Sequence, residues 1–265
     1  MAERFVEVLK NASGVATITL NRPDVHNAFN EDVIMQFTEA FKKLGADNTV
    51  RVVVLQANGK SFSAGGDLNW MRRAAGYGYG ENVADAQKLG DMLHSLANMP
   101  KLTIAKVQGA AYGGGVGLVA ACDVAVAHKD ARFCLSEVRL GLIPAVISPY
   151  VAGAMGTRHA RRYFMTAEVF TAKEAQRVNL VHEVATSEKN LQDKVDGLIK
   201  AALGNAPGAV AEAKVLVDTV TNRRKVDDKL VLETATLIAQ RRATPEAKEG
   251  IGAFLEKRKP NWVKA

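Results

Sequence analysis

Three short segments hold the residues able to do chemistry, and two of them expose backbone instead of side chains. In SFSAGGDLNWM, Ser61 to Met71, the small residues Ser63, Ala64, Gly65 and Gly66 stand in a row after an apolar run. Without bulky side chains, main-chain N–H groups become accessible to a ligand, although AGG alone also describes an ordinary tight turn. In GAAYGGGVGLVAACD, Gly109 to Asp123, three glycines lie between a strand pattern and an apolar helix pattern. That arrangement points a helix N-terminus at developing negative charge. A nucleotide-phosphate loop does not fit, because both the GxGxxG spacing and a GK[ST] ending are missing. In the third segment, ARFCLSEVRLGLIP, Glu137 lies among Phe133, Leu135, Val138, Leu140 and Leu142. Apolar surroundings raise a carboxylic pKa and poise it for acid–base work near neutrality. A surface pairing of Glu137 with Arg132 or Arg139 accounts for the same residues, and spacing does not choose between the two.

These segments need a scaffold that brings them together. Val15 to Leu20 reads as a strand stopped by the NRP turn. From Glu31 to Leu44 apolar residues recur at helical spacing behind an acidic first turn, which predicts an amphipathic helix. Arg51 to Gln56 resembles a buried parallel strand, so strand, helix and strand form a right-handed crossover. The pattern repeats with a helix near residues 84–97, a strand at 103–108, a helix at 114–121 and a strand at 123–127. Residues 1–200 are thus expected to form an α/β core of stacked β-β-α units. Helical windows follow near 190–202, 209–220, 227–240 and 245–257, with Pro207 and Gly208 as punctuation.

Composition narrows the partners. With 48% hydrophobic and 24% charged residues, the 265-residue chain has the balance of a globular protein. Its net charge of +7 favours anionic ligands. The two cysteines, Cys122 and Cys134, form neither a disulfide framework nor a zinc spacing. The histidines likewise lack metal-ligand spacing, so no metal is expected. The N-terminus lacks a signal-peptide pattern and the apolar run before Asp123 is too short to span a bilayer, so a cytoplasmic, non-membrane protein is expected. RNA binding is the different-class alternative; with only 6% aromatic residues and acids interleaved with Lys42 and Lys43, nucleic acid is an unlikely partner.

At the three segments the sequence resembles the crotonase (enoyl-CoA hydratase/isomerase) family, from NRPDVHNAFN through FSAGGD, YGGGVG and LSEVRLGLIP to FLEKRKPNW. The resemblance implies a crotonase-like spiral of β-β-α units over residues 1–200, a C-terminal helical oligomerisation lobe over 201–265, and a homotrimer or dimer of trimers. It implies an acyl-CoA substrate and no cofactor besides the coenzyme A that the substrate carries. By position, Ala64 and Gly114 match the oxyanion-hole residues that hold the thioester oxygen, and Glu137 matches the catalytic glutamate. The turn Val25 to Asn27 and the run Ala64, Gly65, Gly66 and Asp67 match CoA-contacting segments. Lys257 resembles a C-terminal lysine that meets CoA phosphates.

One position departs from the hydratase pattern. Family hydratases carry a second glutamate three residues after the oxyanion glycine, and here that residue is Gly117. A 3,2-enoyl-CoA isomerase needs only one shuttling base, which makes it the alternative. LNWM and LSEVRLGLIPAVISPYV, however, resemble the bacterial methylglutaconyl-CoA hydratases and relatives acting on terpenoid glutaconyl-CoAs, which implies hydration of a branched or glutaconyl-type thioester. The free carboxylate of such an acyl group calls for a cation. Arg72 and Arg73, with Tyr77 and Tyr79 nearby, are candidates, and a solvated basic surface on a glycine-rich lid is the plainer account of them.

Overall fold

In the computed structural model, residues 3–221, 223 and 225–263 are described. A six-stranded sheet in the order β1-β2-β3-β5-β7-β10 carries the core. It is built from Val6–Lys10 (β1), Val15–Leu20 (β2), Val52–Ala57 (β3), Leu102–Val107 (β5), Val124–His128 (β7) and Glu183–Ala185 (β10). Only the β1–β2 pair is antiparallel. A second sheet in the order β4-β6-β8-β9 consists of Ser61–Ser63 (β4), Ala110–Tyr112 (β6), Arg132–Cys134 (β8) and Phe170–Thr171 (β9). Each central strand of the first sheet is followed after a short turn by a strand of the second: β3 by β4, β5 by β6, β7 by β8. The repeated β-β-α turn is therefore a spiral, as expected. Both glycine-rich segments and Glu137 begin where a short strand of the second sheet ends.

Helix α1, Glu31–Ala46, starts at Asn30, whose side chain accepts the Val33 N–H at 2.9 Å. It buries Val33, Ile34, Phe37, Phe41 and Leu44, the stripe that its apolar spacing predicts. A short helix, Leu68–Ala74 (α2), and Tyr79–Ala97 (α3) separate β4 from β5. Gly114–Ala121 (α4) is nearly all buried, which explains why it is apolar all round. After β8 and a one-turn 3-10 helix come Ser148–Thr166 (α5) and Ala172–Arg177 (α6).

Glu188–Leu203 (α7) lays Leu191, Val195 and Ala202 against Val52, Val54, Ile104 and Val126 of the large sheet. The boundary drawn at residue 200 thus falls inside α7, which packs with the core. Beyond it, Pro207–Thr221 (α8), Asp228–Ala243 (α9) and Pro245–Leu255 (α10) bury only Leu230 and Ala253 among their described residues.

Candidate active site

The first glycine loop leaves β4 and is fixed from below by the turn at residues 23–29. His26 and Asn27 there have positive φ, 52° and 58°. The buried Asn27 side chain donates to the Asn58 and Ser61 carbonyls, both at 2.7 Å, and accepts the Arg22 N–H at 2.8 Å. Its amide is therefore spent on holding the turn against the strand, while Val25 beside it is exposed.

Hydrogen-bond accounting corrects one expectation from the resemblance. The Ala64 N–H donates to the His26 carbonyl at 2.9 Å, so it is not a free donor. The Gly65 N–H is directed at Ser63 Oγ, 3.2 Å away. Phe29 forms a parallel bridge with Gly66: the Phe29 N–H donates to the Gly65 carbonyl and the Asp67 N–H to the Phe29 carbonyl, both at 2.7 Å. Such a bridge turns the N–H of the middle residue away from its partner strand. The Gly66 N–H is accordingly without a partner among the described residues. Gly114, the first residue of α4, is likewise unpaired, because the first N–H groups of a helix have no intrahelical acceptor. Gly66 and Gly114 are thus among the free donors of the described loops, and the one on the first loop stands two residues beyond Ala64, where the sequence match suggests it.

The two loops touch. A Cβ on Gly65 would stand 3.0 Å from the Tyr112 carbonyl and 3.7 Å from Gly113 Cα. Gly113 itself has φ +48°, and its N–H donates to the Cys134 carbonyl at 2.9 Å, tying the second loop to β8 just before Glu137. Phe29, missed by sequence reasoning, links both donors: its backbone bridges Gly66, and its ring lies 2.8 Å from where a Gly114 Cβ would stand. The signal was the NAFN run, read only as part of a motif.

Glu137 opens the 3-10 turn Glu137–Leu140. Its Oε1 lies 3.3 Å from where a Gly113 Cβ would be, and its Oε2 is buried with no hydrogen-bond partner among the described residues. Burial pushes its carboxyl above the usual carboxylate range. Neither arginine neutralises it: Arg139 donates to the Ala167 carbonyl and Arg132 to the Ala131 carbonyl. Phe133 and Leu135 are buried as expected, whereas Val138, Leu140 and Leu142 are exposed. An unpaired carboxyl with a raised pKa beside two free N–H donors is equipped for proton transfer next to a developing oxyanion.

Gly117 lies one turn along α4, buried against the loop after the 3-10 turn. A Cβ there would stand 2.4 Å from Ile147 Cγ2 and 3.6 Å from Leu93 Cδ1. The space of a second carboxylate is thus filled by Ile147. Asp67 is committed to structure: it caps α2 by accepting from the Asn69 and Trp70 N–H groups and pairs with Arg22 at 3.2 Å. Burial opposes its ionisation, but these bonds outweigh it and hold the carboxyl below its usual range. Arg73 pairs with Glu31 at 2.7 Å in a partly exposed contact. Among the described residues, the Arg72 side chain donates to Asn69, its neighbour on α2. Lys257 is exposed just beyond α10.

Two cavities open elsewhere, about 360 Å³ around Arg51 and Lys101 and about 450 Å³ between α8 and α9. Neither is lined by the glycine loops or Glu137. No group of three potential metal ligands occurs among the described residues, and no helix among them is long and apolar enough to cross a membrane.

The model of the family described as enoyl-CoA hydratase/isomerase matches residues 10–265. A crotonyl-CoA hydratase of Syntrophomonas wolfei is 32% identical over 97% of this chain and 97% of its own. A trans-2-decenoyl-[acyl-carrier-protein] isomerase of Streptococcus mutans is 31% identical over 98% of each. The crystal structure of an enoyl-CoA hydratase from Shewanella pealeana superimposes with a TM-score of 0.94 at 42% identity, covering 98% of this chain and 96% of that one.

Proposed function

The chain belongs to the enoyl-CoA hydratase/isomerase family, and from that premise we propose that it adds water across the 2,3-double bond of an enoyl-CoA thioester. The observation carrying this reading is the unpaired, buried Glu137 carboxyl beside the free Gly66 and Gly114 N–H groups. The two N–H groups hold the thioester oxygen. Glu137 takes a proton from water as the water oxygen bonds to C3 and the double-bond electrons move into the enolate. The same carboxyl then returns that proton to C2, so a single carboxylate closes the cycle. Each oxyanion donor contributes about 2.7–4 kcal/mol in comparable sites.

The acyl group is proposed to be branched or glutaconyl-type, such as 3-methylglutaconyl. Arg72 and Arg73 are the cations proposed for its free carboxylate, and Arg72 is the less engaged of the two, since Arg73 is paired with Glu31. Ala64, Gly65, Gly66 and Val25 supply exposed or small-residue surface for the CoA moiety, and Lys257 supplies charge for its phosphates. Asn27 and Asp67 shape that surface and do not bind through their side chains. Self-association through the C-terminal helices, as a trimer or dimer of trimers, is part of the same proposal.

A second reading, 3,2-enoyl isomerisation, is favoured by Ile147 filling the place of a second carboxylate and by the Streptococcus relative. Incubation with crotonyl-, 3-methylglutaconyl- and 3-enoyl-CoA, following the conjugated thioester absorbance, separates them. Loss of absorbance with the first two supports hydration, and a gain with 3-enoyl-CoA alone overturns it. For the acyl carboxylate, Arg72→Ala is expected to lower preference for glutaconyl over crotonyl thioesters about tenfold; unchanged preference removes Arg72 from that role.

A further inference from the structure

We propose that Asp85 is a positioning residue that, through the Trp70 indole, holds the helix carrying the first donor loop. This rests on the reading of Gly66 as an oxyanion donor. Trp70 Nε1 donates to Asp85 Oδ2 at 3.1 Å. The same indole borders the donor, because its Cε3 lies 3.7 Å from where a Gly66 Cβ would stand. The indole that Asp85 holds therefore lies against Gly66, whose N–H is the proposed thioester donor.

Helix α2 needs such a tie. It has seven residues and buries none completely, and so short a helix has little stability of its own. A stretch with glycines at positions 76 and 78 follows it. Side-chain ties lead from α2 and its cap, among them Asp67 to Arg22, Arg73 to Glu31 and Trp70 to Asp85. The Arg73–Glu31 pair is largely exposed, and exposed pairs hold weakly. Asp67 fixes the N-terminus of the helix. Trp70 is partly buried against the core, so its bond to a carboxylate is the one that sets how the middle of α2 sits beside Gly66.

Asp85 also lies on the site-facing side of α3. Leu89 and Leu93 follow it at intervals of four residues, on one helix face. Leu89 packs against the core and Leu93 approaches Gly117. One rigid helix thus touches the wall at Trp70 and the floor at Gly117, and Asp85 is the polar contact at the wall end.

The test uses the full chain with Trp262→Phe, which leaves Trp70 as the only indole of the two tryptophans. Asp85→Ala is expected to lower kcat by about ten- to a hundredfold with a smaller change in KM, the scale of a small misplacement of reacting groups. Trp70 emission should shift to the red and iodide quenching should rise. Asp85→Asn, whose amide oxygen still accepts the indole N–H, should restore both readouts to near wild type. Trp70→Phe should reproduce the kcat loss, and it decides the matter if Asp85→Ala does not fold. Loss of kcat without an emission change, an emission change without loss of kcat, wild-type kcat in Trp70→Phe, or failure of Asp85→Asn to rescue would each overturn the proposal. A parent protein inert towards every enoyl thioester would instead sink the functional reading, while the emission arm still reports whether the clamp exists.

Discussion

At the scale of single residues, Glu137 makes the strongest commitment. Its Oε2 is buried without a partner and its pKa is raised by burial, so ionisation costs the fold free energy. Glu137→Gln is expected to lower kcat by about 10²–10⁴-fold, the usual range for a general acid–base. The acidic limb of the wild-type kcat/KM profile should lie above the ordinary carboxylate range. Stability carries the opposite sign. A carboxyl with a raised folded-state pKa contributes fully below the unfolded-state value and loses that contribution as pH rises through the folded-state value. Glu137→Gln should therefore melt higher than wild type at pH 7–8, and the gap should close towards about pH 4. Equal melting at both pH values would mean that Glu137 is not held in a costly environment. Gly66 offers an independent test. Gly66→Pro removes the free N–H while leaving the Phe29 bridge bonds on Gly65 and Asp67, and it is expected to lower kcat about 10²–10³-fold, with circular dichroism unchanged.

At the scale of elements, long and strongly patterned segments were legible and short ones were not. The periodicity of α1, the β-branched run of β2 and the glycine-to-apolar transition of α4 each reflect a packing requirement that acts over several residues. The strands β4, β6 and β8 span three residues each, too few for alternation to be visible. Helix α5 contains Gly156 at φ +73°, a break that disrupts its periodicity. The same limit explains the misplaced donor. Sequence shows that small residues stand in a row at 63–66, but which N–H is free depends on the Phe29 bridge and the His26 carbonyl, contacts across more than thirty positions. The pairing of Arg73 was out of reach for a comparable reason, since Glu31 is 42 residues away. Gly117 is where an element constrains chemistry. Gly117→Glu forces Ile147 aside, because even a Cβ would lie 2.4 Å from Ile147 Cγ2. Overpacking of this kind costs about 1–3 kcal/mol, measurable by denaturant unfolding, and Ile147→Ala in the same chain should recover part of it. A fully stable Gly117→Glu would show that the space can accept a second carboxylate.

At the scale of the whole molecule, the three C-terminal helices have more apolar surface than the described chain covers. Val215 and Val217 on α8, Leu232 on α9, and Phe254 and Leu255 on α10 are 58–81% exposed, while α8 buries none of its residues. So many exposed large apolar side chains on three successive helices are suited to a contact surface. These helices bury few side chains of their own, while α7 covers the large sheet. Their sequence is therefore best explained by a partner surface, and the same chain supplies one without further assumptions, since most soluble oligomers are closed and homomeric. Sedimentation equilibrium is expected to give a mass of three or six chains at micromolar concentration. Leu232→Asp combined with Phe254→Asp, which places charge in that face, should shift the distribution towards smaller species. It should also lower the melting temperature by several degrees, because assembly stabilises the folded state by mass action. A monomer in the parent protein, or an assembly indifferent to both substitutions, would show that these helices face water or close over the chain's own core.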